Sequence, residues 1–285
     1  MKFTTSHKYA HLSSFDEYII IGDVHGCVDE LQQLLIQNGF SIDANGFIEL
    51  NSTICSKSIV LLGDFIDKGN REKIIETINF IYKNYYHLNQ HRQQFYLLKG
   101  NHEEMVYRYI SNDPTLEITA KRLEDKDKYY NTVAILEKDF DLKKKFLELY
   151  DESYSWLQYR FSPNFSAILT HAPCEVKYLG QNDDESYAKM IKCASRSKNK
   201  GIKLDELLSY VYEEAEENQN YHIFGHLSQP NIRKYKNRVC IDTSVIYGDT
   251  LSCAIIKEDQ LTFDSTPFQK KQKSATQEYN ILFDF

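Results

Sequence analysis

The chain has no pair of cysteines at CxxC spacing, and its six cysteines are scattered over 285 residues. A chain of this length with irregular cysteine spacing is not typical of a disulfide framework, so reduced thiols in a cytosol are expected. The sequence also lacks any apolar run close to the roughly 18 residues that span a bilayer. The N-terminus lacks the apolar core of a signal peptide. A soluble, cytoplasmic protein without a membrane partner is therefore predicted.

An excess of positive charge is missing as well, since the formal net charge is −7 and the pI is about 5.8. This balance argues against a surface built to neutralise a nucleic-acid backbone, and no stable nucleic-acid complex is expected. The hydrophobic share of 42% is ordinary for a globular chain, and 21 tyrosines with 16 phenylalanines indicate an aromatic-rich core.

Short apolar runs recur along the chain, and each is stopped by glycine or polar residues. Runs of this length are typical of buried strands, and the segments 27–40 and 71–86 between the first three runs have helical periodicity. Strands that alternate with helices indicate an α/β core, whereas the runs from about residue 238 follow each other as in an antiparallel sheet. The runs with their terminating residues are 18–23, 58–64, 94–101, 166–171, 221–226, 238–243 and 251–256.

Two long polar stretches interrupt this pattern, and neither has the composition of a linker. We therefore predict one domain over residues 1–285. Residues 111–160 are predicted to form a helical insertion and residues 175–220 a second insertion. Residues 265–285 are predicted to form a C-terminal tail that is polar at first and then aromatic.

Side chains that can bind metals follow five successive predicted strands. Each one alone is more often a turn or cap residue, but five in order favour a shared site, because ligands in α/β proteins bind at strand ends. Carboxylates, imidazoles and an amide oxygen suit a pair of ions such as Mn²⁺, Fe²⁺ or Zn²⁺, whereas Mg²⁺ favours oxygen ligands alone. The absence of thiols at these positions argues against a structural zinc site. The side chains at these five strand ends are those of Asp23, His25, Asp64, Asn101, His102, His171 and His226.

A pair of divalent ions is suited to chemistry at phosphorus. One carboxylate can bridge two ions, and that geometry clamps the attacking and leaving oxygens of an in-line displacement. The ions also acidify bound water, so that hydroxide is available near neutral pH. The pattern therefore predicts hydrolysis of a phosphoester.

The motifs GDVHG (22–26), GDFIDKG (63–69) and GNHE (100–103), a lone histidine after a strand, and the pair Gly225-His226 resemble the five motifs of the calcineurin-like metallophosphoesterases. More narrowly, they resemble the phosphoprotein phosphatase (PPP) group, its bacterial serine/threonine phosphatases and the diadenosine tetraphosphate hydrolases. The resemblance covers residues 18 to about 257. It implies an α/β (α+β) sandwich of two mixed β-sheets packed face to face, with helices outside.

The resemblance also implies a role for each candidate ligand. It assigns Asp23 and His25 to the first metal ion, with Asp64 as the bridge between two ions. Mn²⁺ is the ion expected, with Fe²⁺ and Zn²⁺ as alternatives. The residues that it assigns to the second ion, beside the bridge, are Asn101, His171 and His226.

The same resemblance makes His102 the general acid that protonates the leaving oxygen, with Asp67 orienting it. A carboxylate beside an imidazole favours the protonated ring, which suits an acid near neutral pH. The chain departs from the family at Lys68, where the second motif normally has an arginine that grips phosphate. Lysine keeps the charge but loses the planar fork of arginine. Arg71 and Arg196 are alternative candidates for binding phosphate.

The metals and the acid specify the reaction but leave the substrate open. The main hypothesis is a phosphatase that acts on phosphoserine, phosphothreonine or phosphotyrosine in proteins by direct attack of hydroxide. The alternative is hydrolysis of dinucleoside polyphosphates or of RNA-end phosphates, with aromatic or basic residues of segments 129–131 and 198–200 stacking a base. A non-catalytic scaffold is a second alternative, against which the intact ligand set argues.

Overall fold

The computed structural model describes residues 7–51, 56–113, 130–193 and 211–269. Strands and helices alternate in the first part of the chain, and strands predominate in the last part. The strands are β1 (Tyr9–Leu12), β2 (Glu17–Ile21), β3 (Lys57–Leu61), β4 (Phe95–Leu97), β5 (Trp156–Ser162), β6 (Phe165–Leu169), β7 (Gln219–Phe224), β8 (Arg233–Tyr235), β9 (Arg238–Cys240), β10 (Thr250–Lys257) and β11 (Gln260–Pro267). The helices bounded within these ranges are α1 (Val28–Gln37), α2 (Arg71–Leu88), α3 (Asn101–Ile110), α4 (Asn131–Leu136), α5 (Phe140–Glu152) and α6 (Asp184–Lys192).

A five-stranded sheet has the order β11-β10-β2-β3-β4. Its strands β2, β3 and β4 are parallel, with Ile21 opposite Leu61 and Leu61 opposite Leu97. β10 runs antiparallel to β2 and also to β11. Because three parallel strands end at the same edge, the polar segments that follow them meet there.

A six-stranded sheet has the order β1-β5-β6-β7-β9-β8. Its central strands β6, β7 and β9 are parallel, with Leu169 opposite Ile223 and Phe224 opposite Cys240. The chain therefore leaves these three strands at one edge of the second sheet as well.

The two sheets pack face to face, and the alternation of side chains in β2 shows how. Ile19 and Ile21 belong to the core between the five-stranded sheet and helices α1 and α2, whereas Tyr18 and Ile20 belong to the core between the sheets. Complete burial of one such side chain stabilises the fold by roughly 1.5–3 kcal/mol. On the outer face of the six-stranded sheet, Met190 of α6 packs with Trp156. The predicted sandwich of two mixed sheets with helices outside is confirmed.

Helices α1 and α2 lie where the periodicity predicts them. The apolar side chains of α1 are buried from Val28 to Leu35 on one face. The side chain of Asn70 caps α2 by accepting a hydrogen bond from the backbone N–H of Lys73. Within the described ranges, none of the helices combines the length and the apolar character needed to cross a membrane.

The structure differs from the sequence-based expectation in the strands and in the segment boundaries. β9 and β10 were expected in one antiparallel sheet, but they lie in different sheets, where each forms an antiparallel hairpin with another strand, β9 with β8 and β10 with β11. The predicted insertion 111–160 contains α4 and α5, but its last residues enter β5. The predicted tail 265–285 begins inside β11, and its residues from 270 lie outside the described ranges. Within the predicted insertion 175–220, α6 is described and residues 194–210 are not.

Candidate dinuclear metal site

The candidate site lies at the carboxyl ends of parallel strands from both sheets. In the five-stranded sheet, β2 is followed by Asp23 and β3 by Asp64, and α3 begins at Asn101 just after β4. In the six-stranded sheet, β6 is followed by His171 and β7 by His226. The backbone N–H of His226 donates to both carboxylate oxygens of Asp23, at 3.1 and 3.2 Å, and so joins the two sheets.

The backbone of the site is unusually strained. Non-glycine residues with positive φ are uncommon, and they concentrate at functional sites. Glycine is needed where backbone meets carboxylate, because a Cβ on Gly100 would collide with Asp64 and one on Gly225 with Asp23. The site residues in the left-handed region are His25, Asp64, Asp67, Lys68 and His226.

Asp64 lies at the centre of the site and is buried. Its Oδ1 accepts the backbone N–H of His102 at 3.0 Å. Its Oδ2 faces Nε2 of His171 at 3.4 Å, of His25 at 3.7 Å and of His102 at 3.9 Å. Burial would raise the pKa of this carboxyl, but the imidazoles of His171 and His102 outweigh it and hold the pKa well below its ordinary value.

Two histidines are oriented by backbone carbonyls. Nδ1 of His25 lies 2.8 Å from the carbonyl oxygen of Ile66, and Nδ1 of His171 lies 2.8 Å from that of Leu62. A carbonyl can only accept, so each Nδ1 carries a proton, and Nε2 is the ring nitrogen that faces the site. Such a second contact is characteristic of histidines that bind metals.

The oxygen and nitrogen atoms of several side chains converge at this point. Oδ1 of Asn101 lies 3.0 Å from Nε2 of His171 and 2.8 Å from Nδ1 of His226. Side chains grouped so closely can hold a cation between them, and the mixture of imidazole, carboxylate and amide oxygen fits a divalent ion of the Mn²⁺, Fe²⁺ or Zn²⁺ type. The residues present therefore fit the metal centre that the motifs imply.

Two groups of potential ligands share Asp64. The first joins it to His25 and His102, and the second joins it to His171 and His226, with the ligand atoms of each group within 4.8 Å of one another. Asp23 belongs to neither group among the described residues, because its carboxylate is turned towards the N–H of His226. Burial and the nearby carboxylates of Asp242 and Asp64 raise the pKa of Asp23 well above its ordinary value.

His102 and Asp67 form a buried pair, with Nδ1 and Oδ2 2.8 Å apart. The other carboxylate oxygen of Asp67 accepts the backbone N–H of Thr132 at 2.9 Å, and the Thr132 hydroxyl accepts the N–H of Asp67 at 3.0 Å. The ring of Tyr130 lies 5.3 Å from that of His102. The beginning of α4, from the predicted insertion, thus supports the pair.

Lys68 reaches into the site. Its ammonium nitrogen lies 3.1 Å from Nε2 of His25 and 6.0 Å from the ring centre of Tyr247. Burial opposes the charged form, but Tyr247 and the surrounding carboxylates outweigh it and raise the pKa of Lys68. Arg71 is exposed at the start of α2 and forms no hydrogen bond or ion pair with the residues that the structure describes. Arg196 lies outside the described residues.

Sequence reasoning missed two residues of the site. The carboxylate of Glu103, the last residue of the GNHE motif, accepts backbone N–H groups from the loops that follow β3 and β4. Burial, and to a smaller extent the charge of Asp64, raises the pKa of Glu103 well above its ordinary value, although the N–H donors oppose this shift. Asp242 follows β9 and is buried near Asp23. Asp242 stands at a strand end like the predicted ligands, so that pattern could have found it. The N–H donors to Glu103 belong to Asp64, Phe65, Ile66 and Gly100.

Comparison with known proteins agrees with this geometry. A family model described as calcineurin-like phosphoesterase matches residues 18–250. The asymmetrical bis(5′-nucleosyl)-tetraphosphatase PrpE of Oceanobacillus iheyensis is 27% identical over 237 residues, which cover 82% of this chain and 86% of the relative. The protein of the same name from Bacillus subtilis is 24% identical over 244 residues, covering 82% and 88% of the two chains.

Two solved structures share the fold. A candidate diadenosine tetraphosphatase superposes with a TM-score of 0.57 at 15% identity, covering 93% of this chain and 99% of the other. A cold-active protein-tyrosine phosphatase from a Shewanella species gives a TM-score of 0.53 at 15% identity, covering 92% and 82%. At this identity, the likeness concerns the fold alone. With the family model matching most of its length, the chain belongs to the calcineurin-like phosphoesterases, a family of metal-dependent hydrolases.

Proposed function

We propose that this protein hydrolyses bis(5′-nucleosyl) tetraphosphates asymmetrically, into a nucleoside triphosphate and a nucleoside monophosphate. The observation that carries hydrolysis at phosphorus is the convergence of three imidazoles on Oδ2 of Asp64 beside the His102–Asp67 pair. The nucleotide substrate is supported by relatives of this name that match along more than four fifths of both chains. These relatives favour the nucleotide alternative over the protein phosphatase that motif reasoning placed first.

The proposed metal centre has two ligand sets that meet at Asp64. Mn²⁺ is the ion expected, and bound divalent ions would lower the pKa of water and offset the charge of the phosphates. Asp23 and His25 would hold one ion together with Asp64. The residues that would complete the second set are Asn101, His171 and His226.

His102 would supply the proton that the reaction needs. Water adds a hydroxyl group to phosphorus, the bond from phosphorus to the bridging oxygen breaks, and that oxygen leaves with the triphosphate. Nε2 of His102 points towards the same space as Oδ2 of Asp64, so a proton held there can pass to the leaving oxygen. Asp67 fixes the ring by holding Nδ1, and Thr132 fixes Asp67.

Lys68 would act on the phosphates as a fixed positive charge. The surrounding carboxylates keep its ammonium charged, and its position beside His25 lies at the border of the first ligand set. An ammonium attracts a phosphate oxygen as a point charge without the bidentate geometry of arginine. Lys68 therefore suits a polyphosphate, whose charge is spread over several groups along the chain.

The test is to incubate the purified protein with diadenosine tetraphosphate and Mn²⁺ and to separate the products by ion-exchange chromatography. We expect equal amounts of ATP and AMP, and no ADP. Asp64→Asn serves as the inactive control. Phosphopeptides with serine, threonine or tyrosine, and RNA with 3′- or 2′,3′-phosphate ends, are assayed in parallel.

Turnover of a phosphopeptide or an RNA end with diadenosine tetraphosphate left intact would refute the proposed substrate. If none of these substrates is hydrolysed with Mn²⁺, Fe²⁺, Zn²⁺ or Ni²⁺, the catalytic proposal itself fails and the scaffold alternative stands.

A further inference from the structure

An exposed tyrosine lies beside the candidate metal site, on the loop between β9 and β10. Tyr247 is 51% exposed and ends a short 3₁₀ turn, Val245–Tyr247. Its ring centre is 6.0 Å from the ammonium of Lys68, which in turn is 3.1 Å from Nε2 of His25. His25, Lys68 and Tyr247 therefore form a row that runs from the candidate ligands to the protein surface.

The turn that carries Tyr247 is held in place on both sides. Ser244 and Gly248 flank it in left-handed conformations, with φ of 64° and 97°. The backbone N–H of Tyr247 donates to the carbonyl of Ser244 at 2.9 Å, and the N–H of Gly248 donates to that of Val245 at 2.9 Å. Val245 is buried in the core under the five-stranded sheet. A turn anchored in this way presents the tyrosine ring at a defined position rather than on a loose loop.

The spacing of charge and ring matches the chemistry of a nucleoside 5′-phosphate. Every nucleobase has a π-face that can stack on an aromatic side chain, and the 5′-phosphate is separated from the base by one ribose. At 6.0 Å the ammonium is at the outer limit of a cation–π contact, so the interaction with Lys68 leaves the ring face accessible to a ligand.

We propose that Tyr247 is the platform on which a base of the substrate stacks, while Lys68 holds the phosphate attached to the same nucleoside. The inference rests on the proposed nucleotide substrate and adds the residue that recognises its base. It makes Tyr247 a specificity-determining residue, which contributes to binding and not to proton transfer.

The test compares AMP with ribose 5-phosphate, which has the same sugar and phosphate but no base. Binding of each to the Mn²⁺-loaded full-length protein is measured by calorimetric titration. Because stacking of one base contributes roughly 1–3 kcal/mol, we expect the wild type to bind AMP about 5- to 150-fold more tightly than ribose 5-phosphate. Tyr247→Ala should abolish this preference and leave the affinity for ribose 5-phosphate unchanged, whereas Tyr247→Phe should keep it.

Tyr235→Ala is the matched control, because Tyr235 is 45% exposed and lies on the edge strand β8. It should bind both ligands like the wild type. Equal affinity of the wild type for AMP and ribose 5-phosphate, or an AMP preference that survives in Tyr247→Ala, would overturn the inference. These outcomes are separate from the proposed function, which fails instead when the wild type leaves diadenosine tetraphosphate intact.

Discussion

Oδ2 of Asp67 lies 2.8 Å from Nδ1 of His102, although the two residues are 35 positions apart in the chain, Asp67 in the loop after β3 and His102 in the first turn of α3. The contact fixes the ring so that Nε2 faces the centre of the site. The same nitrogen belongs to a group of potential metal ligands with His25 and Asp64. His102 is therefore either a general acid or a metal ligand, and an experiment can distinguish the two roles.

The first prediction concerns His102→Asn. Because a general acid typically contributes about 10²- to 10⁴-fold to turnover, we expect a fall of kcat in this range for an alkyl phosphate. The metal content, measured by mass spectrometry of the dialysed protein, should stay at the wild-type value. Loss of metal from this variant would instead identify His102 as a ligand.

A second prediction separates substrates in the same variant. A triphosphate leaves more readily without a proton than an alkoxide does, so the proposed nucleotide substrate depends less on the acid. His102→Asn should therefore lower kcat for diadenosine tetraphosphate by a smaller factor than kcat for a serine phosphate. An equal loss on both substrates would argue against proton transfer by His102.

The third prediction is that Asp64→Asn abolishes activity and lowers the metal content. The substitution removes the charge that both ligand groups share, while the side chain keeps its size. Asp259→Asn, on the exposed turn between β10 and β11, is the control that removes an equal charge elsewhere. Two ions per chain and full turnover in Asp64→Asn would exclude the bridging role.

A fourth prediction addresses Lys68. Lys68→Met removes a charge that lies 3.1 Å from His25. Because a hydrogen bond to a charged group contributes roughly 1.5–3 kcal/mol, we expect the KM for diadenosine tetraphosphate to rise by about 10- to 150-fold. Lys68→Arg should restore most of the lost affinity. If both variants show the wild-type KM in steady-state assays, Lys68 does not contact the phosphates.

The fifth prediction is a loss of stability in Glu103→Gln. The carboxylate accepts four backbone N–H groups, and an amide has one oxygen for them and brings two donors of its own. We expect the free energy of unfolding to fall by about 2–4 kcal/mol, as for loss of hydrogen bonds to a charged group. Denaturant unfolding in EDTA measures this independently of metal. The exposed Glu137→Gln should change stability by less than about 0.5 kcal/mol.

The sequence predicted the strands that are buried on both faces and missed those that are not. The runs at β2 and β3 are continuously apolar, whereas β5 contains Gln158 and Arg160, and β1 has four residues with two exposed. A strand of that kind obtains its position from its neighbours: β1 pairs with β5 over its whole length. Such pairing depends on contacts between distant segments, which local periodicity does not report.

Prediction of the site residues from the sequence is limited in the same way. Strand ends with Asp64 or His171 could be recognised because the pattern repeats along the chain. The function of Glu103 depends on which backbone N–H groups turn towards it, and that orientation is set by the left-handed conformation of the β3 loop. Tyr247 is likewise close to Lys68 only because β9 and β3 end at the same edge of the sandwich.

The candidate ligands are divided between the two layers of the sandwich. Asp23, His25, Asp64 and Asn101 follow strands of the five-stranded sheet, and His171 and His226 follow strands of the six-stranded sheet. An ion bound by both groups would be a non-covalent cross-link between the sheets, because the sheets could not separate without releasing it. Metal binding would then stabilise the packing of the two sheets. By linkage, a mutation in the core between the sheets that destabilises this packing would also weaken metal binding, although it lies far from any ligand.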